Sequence, residues 1–96
     1  MIAKLKGLVE GQEDGAALLD VNGVVYRALS SSRTLSALPA KGQPAVLETE
    51  YLVIQDVPTL IGFGSLAELE AFRLLVTVNG VGPKAALAIL SVHAPD

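Results

Sequence analysis

Residues 60–69 read LIGFGSLAEL, and the character of the chain changes inside this stretch. Ahead of Gly62 the sequence is a series of short β-type runs; behind Gly64 it turns helical. Ser65-Leu66-Ala67-Glu68 has the form of a capping box, in which the serine and the glutamate each satisfy an orphan N–H at a helix start. Leu66, Leu69, Phe72 and Val76 then recur at three- and four-residue spacing, which predicts one apolar helix face. The same residues, Gly62 to Ala67, also match G-x-G-x-x-A, the dinucleotide fingerprint. That fingerprint requires a parallel βαβ unit and an acidic residue about 20 positions on. Here one helical pattern leads to another, and residues 82–84 are Gly, Pro and Lys. The context rejects a dinucleotide site, and the stretch reads as the junction between a β part and a helical part.

Working upstream, Leu5, Gly7 and Val9 alternate with Lys4 and Lys6, so residues 2–9 are expected to form a half-buried strand. The run GQEDG at 11–15 reads as a turn. Asn22-Gly23 between residues 17–21 and 24–29 is the strongest short hairpin signal, because its turn needs φ > 0 at both central residues. Residues 33–38 suit a short helix stopped at Pro39. Residues 46–54 and 59–63 read as two further strands around a turn at Gln55-Asp56-Val57-Pro58. Five strands with a small helix between the third and fourth is the order of an OB-type barrel. The pattern alone leaves another small five-stranded barrel or meander open.

Working downstream, residues 78–90 read VNGVGPKAALAIL. A helix is expected to end near Thr77, the chain to turn through Asn79-Gly80-Val81-Gly82, and a second helix to open at Pro83, a residue suited to the first helical position. Such an elbow leaves unpaired N–H groups on the first turn of the second helix, where the dipole favours an anion. Glycines let a phosphate approach, and Lys84 adds a full positive charge. The alternative is a plain αα-turn with glycines as cap and corner. Val78, Val81 and Ala85-Ala86 at packing positions favour a DNA-binding helix–hairpin–helix element.

The 96 residues are 51% hydrophobic with two Phe, two Tyr and no Trp, so the core must be aliphatic. No apolar run approaches the roughly 20 residues of a spanning helix, and MIAKLKG lacks the form of a secretory signal. The absence of cysteine excludes disulfides and thiolate chemistry and fits a reducing cytoplasm. A formal net charge of −3 sits uneasily with nucleic-acid binding. His93 falls in a tail expected to fray, Glu48 and Glu50 read as a solvated strand face, and Lys4, Lys6 and Arg27 read equally as DNA contacts or surface charge. No catalytic triad, metal cluster or Walker loop is visible, so neither intrinsic catalysis nor a cofactor is expected.

With MIAKLKG at the start, DVNGVVY at 20–26, LIGFGS at 60–65 and VNGVGPKAALAIL at 78–90, the whole chain resembles the RuvA family, whose members recognise four-way (Holliday) DNA junctions. The resemblance implies an α+β chain: an OB-type barrel domain over 1–63, then over 64–96 the first part of a helix–hairpin–helix domain. It further implies a homotetramer, the RuvB motor ATPase as partner through a C-terminal domain, and the RuvC resolvase as a second partner, with no membrane. Gly80, Gly82 and Lys84 would hold DNA phosphate at the elbow, with Asn79 and Val81 shaping it. Gln55 and Asp56 fall where the family carries an acidic pin, and only Asp56 is a carboxylate here. The family's second hairpin and motor-binding domain would lie beyond Asp96, so an N-terminal fragment is expected. Part of the basic DNA face would then belong to that further chain, which eases the charge puzzle.

Overall fold

The computed structural model describes residues 2–92, so the expectations for His93 and the tail lie outside the described residues. Five strands, β1 (Lys4–Glu13), β2 (Ala16–Val21), β3 (Val24–Leu29), β4 (Pro44–Ile54) and β5 (Val57–Phe63), close into a barrel in the order β1-β2-β3-β5-β4. A short helix, α1 (Ser32–Ala37), crosses between β3 and β4; α2 (Leu66–Leu75) and α3 (Pro83–Val92) follow the barrel. This is an OB-type arrangement within an α+β chain. All strand pairs are antiparallel except β3–β5, which is parallel and bridged at a single pair, Leu29 with Ile61.

Each of the three hairpins closes through two residues with positive φ: Asp14 (49°) and Gly15 (77°), Asn22 (54°) and Gly23 (91°), Gln55 (50°) and Asp56 (64°). Such turns carry the right-handed twist of the strands they join. Two expected turns are therefore too broad. β1 runs on through a bulge between Val9 and Gly11 as far as Glu13, so only Asp14 and Gly15 turn. Val57 and Pro58 belong to β5, paired with Ile54 and Val53. In a two-residue hairpin the second pair from the turn is non-hydrogen-bonded, so the missing N–H of Pro58 costs the β4 ladder nothing.

Leu5, Ala17, Leu19, Ala28 and Leu47 fill the barrel. Gly7 lets β1 approach β2: a Cβ there would stand 2.4 Å from the Asp20 carbonyl oxygen. Backbone cannot retreat as a side-chain tip can, so Gly7→Ala is expected to cost about 2 kcal/mol, read as a lower urea midpoint with an unchanged slope. Wild-type stability for that variant would show that the strands separate freely.

The second core lies between β5 and the two long helices, where Ile61, Phe63, Leu69, Phe72, Ala86, Leu87 and Leu90 pack together. Phe63 and Phe72 meet with ring centroids 5.1 Å apart, so two of the four aromatics are core. Leu66 does not join the apolar face expected of it and is 59% exposed. The buried stripe centres on Phe72, and at 3.6 residues per turn Leu66 lies roughly a third of a turn away. The inward position in that first turn is taken by Glu68, buried at 2% exposure.

Candidate nucleic-acid interface

Between α2 and α3 the chain turns in two steps. The Thr77 N–H donates to Leu74 O and the Val78 N–H to Leu75 O, winding down α2. The Val81 N–H then donates to Val78 O at 3.0 Å, closing a turn whose third residue, Gly80, has φ 87°. A type II turn demands positive φ at that position, so Gly80 serves the turn itself. Gly82 is different: its φ is not positive, and a Cβ added there would meet nothing within 4 Å. The turn does not need this glycine; it leaves open space above the start of α3. Val81 packs against the second core and fixes the loop, while Asn79 is exposed at its tip. Val78 and Ala85, expected at packing positions, are exposed, because the α3 face that meets the core is set by Ala86, Leu87 and Leu90.

The three helices start in two different ways. Ser31 caps α1 by accepting from the Thr34 N–H, and Ser65 caps α2 by accepting from the Glu68 N–H. At α3 the Gly82 carbonyl accepts the first helical bond, from the Ala86 N–H at 2.9 Å. Gly82 thus stands at the capping position with no side chain to fold back. Pro83 has no N–H, and the N–H groups of Lys84 and Ala85 meet no acceptor among the described residues. Both residues are exposed, and Lys84 has no ion-pair partner among the described residues. Free donors, a helix dipole and an uncompensated cation converge here, an arrangement suited to an anion.

Gln55 and Asp56 form the exposed tip of the β4–β5 hairpin. Gln55 and Lys84 line one groove, so the hairpin tip and the elbow are neighbours, whereas Asp56 and residues 79–82 do not line it. Four of the six other cations are engaged: Lys4 with Glu48 at 3.5 Å, Arg73 with Glu50 at 2.9 Å, Arg27 with Glu13 at 3.8 Å, and Arg33, whose Nε donates to Leu90 O. Glu48 and Glu50 are therefore ion-pair partners rather than a freely solvated face.

Glu68 is the residue that sequence reasoning misplaced. Only half of the expected capping box forms: Ser65 accepts from the Glu68 N–H, but the Glu68 carboxylate turns inward. It accepts hydrogen bonds from Ser31 Oγ at 2.6 Å and from Thr34 Oγ1, while Thr34 Oγ1 accepts from the Gly64 N–H. This cluster ties α1 to the start of α2. A second tie holds the far end of the hairpin, where the Ser32 N–H donates to Ser91 Oγ at 3.0 Å. The helix pair that carries the elbow is thus fastened to α1 at the start of α2 and at the end of α3. The start of α2, once a candidate for pyrophosphate, is filled by the chain's own Ser65 hydroxyl.

A family model described as RuvA N terminal domain matches residues 1–62. Bacterial relatives match across both the barrel and the elbow. A Rhodopseudomonas palustris protein is 50% identical over 96 residues, covering 100% of this chain and 47% of its own length. A Bradyrhizobium protein is 50% identical over 95 residues, covering 99% of this chain and 46% of its own. One from Methylobacterium radiotolerans is 49% identical over 96 residues, covering 100% and 47%. All three carry the name Holliday junction branch migration complex subunit RuvA, and this chain spans about half the length of each. With the matched region taking in all of the barrel but its last residue, the chain belongs to the RuvA N-terminal domain family.

Proposed function

We propose that this chain binds four-way (Holliday) junction DNA, as part of the non-motor subunit of a branch migration complex acting in recombination and repair. Residues 1–63 serve as the barrel domain and 64–96 as the first part of a helix–hairpin–helix domain. The observation that carries the reading is the bare start of α3: N–H groups at Lys84 and Ala85 that meet no acceptor among the described residues, open space over Gly82, and the Lys84 charge. Backbone donors carry no base code, so they suit a ligand recognised by shape rather than sequence. The subunit works as a tetramer in the cytoplasm, with the RuvB ATPase supplying the motor and RuvC resolving the junction. Leu8, Val25 and Val46, each close to half exposed on the outer barrel wall, support burial against a second subunit. The chemistry of strand exchange belongs to the partners, and this chain contributes geometry.

Asp56 acts by repulsion. Repeated around a four-fold ring, it sets like charge against the crossover phosphates, with Gln55 contributing none. The reading is tested by comparing a four-way junction, a duplex and a single strand at matched salt. The junction should be preferred at least about tenfold, within the specificity ratios such proteins reach. Equal affinity for all three would remove the proposal. Preference for the single strand would favour an OB-type strand binder, which the two non-core aromatics, Tyr26 and Tyr51, equip poorly for stacking. In the same assay Asp56→Asn should tighten junction binding or leave it unchanged. Asparagine tolerates positive φ as aspartate does, so the turn survives the change and weakened binding would contradict repulsion.

A further inference from the structure

Beyond the single bridge at Leu29–Ile61, β3 and β5 part and leave an open groove of about 520 Å³. Its rim joins the β1–β2 turn, the β4–β5 turn at Gln55, Arg27 of β3 and Lys84 of α3. In OB barrels, the loops joining strands 1–2 and 4–5 flank the surface on which oligonucleotides lie. No aromatic residue lines this groove, so it has no platform for stacked bases. What it offers is two cations above an apolar floor that includes Leu29 and Leu87.

We infer that this groove holds the backbone of one unpaired strand of the junction, with Arg27 as a phosphate ligand that continues the path begun at the elbow. The inference rests on the junction-binding reading. The present partner of Arg27 is Glu13, 3.8 Å away, and both side chains are about half exposed. Exposed pairs of this kind are weakly held, so the guanidinium can exchange Glu13 for a phosphate, which it grips with two donors. Asp14 on the same rim limits the positive field, so the groove binds a free single strand weakly and acts on a strand already held at the elbow. Lys4, paired with Glu48 and not part of the groove lining, has no such role.

The test removes the same charge from two places. Arg27→Ala should weaken junction binding roughly three- to tenfold at low salt and lower the salt slope by about 0.7, the value for one single-strand phosphate. Lys4→Ala should change affinity less than about twofold, and Arg27→Lys should restore most of the slope. Glu13→Gln, which frees Arg27, should tighten binding more than Glu48→Gln, which frees Lys4. Equal effects of Arg27→Ala and Lys4→Ala would overturn the inference. If Lys84→Ala weakens binding while Arg27→Ala does not, the groove fails and the elbow stands. If neither variant changes junction affinity, both side-chain contacts fail while junction binding itself stands. Only an unmodified chain with no preference for the junction over duplex and single strand removes the reading on which the groove rests.

Discussion

Replacing Glu68 with alanine should lower the unfolding free energy by about 3 kcal/mol, because two buried hydroxyls lose a charged acceptor and the truncated side chain leaves a void. Ser31 and Thr34, 1% and 4% exposed, have no route to water in compensation. For a domain of this size, whose total stability is about 5–15 kcal/mol, that loss is large. Loss of the buried charge itself recovers part of the cost, so a neutral isostere separates the terms. Glu68→Gln keeps the shape and one good acceptor and should cost about 1 kcal/mol. Urea unfolding of both variants measures the difference. If alanine proves as stable as wild type, the cluster is incidental and something else fastens α2 to α1.

The second large effect is expected in binding. Gly82→Val should weaken junction affinity by tenfold or more while leaving the fold intact. A Cβ at this position meets no protein atom within 4 Å, and a residue before proline favours the extended backbone that valine prefers. The obstruction falls on whatever approaches the Lys84 and Ala85 N–H groups. Lys84→Ala keeps those donors and removes one charge, so its loss should be smaller, with a salt slope reduced by about 0.9 for a duplex phosphate. If backbone donors are the main ligand, valine at 82 is the worse change; an electrostatic patch alone would reverse the order. Gly80→Ala is a poor substitute, since φ of 87° makes that glycine part of the turn. Circular dichroism and junction titration at several salt concentrations give both quantities.

The barrel was legible because its signals are local. Asn22-Gly23 marks one hairpin and alternation marks β1, while the Gly62–Ser65 seam announces the end of the strands. The elbow was equally plain as a string of glycines and a proline, yet the division of labour between Gly80 and Gly82 was not, because it depends on a dihedral angle. Val57-Pro58 was misread as turn since proline usually breaks strands, and only the pairing register shows that Pro58 occupies a tolerated place. Glu68 looked like a capping residue because Ser-x-x-Glu is a local motif. Its true partners, Ser31 and Thr34, lie 37 and 34 residues upstream, and no local pattern couples positions so far apart. The groove joining Arg27 to Lys84 is hidden for the same reason: it is made by the fold bringing β3 and α3 together.

The central claim is that the first turn of α3 holds a DNA phosphate through its own backbone. The most direct measurement is a nitrogen–proton correlation titration of this chain with a short-armed four-way junction. The amide signals of Gly82, Lys84 and Ala85 should move first and together, by the same amounts whatever the sequence of the arms, and should retreat as salt is added. Shifts confined to other surfaces, with those three amides unmoved at saturation, would contradict it.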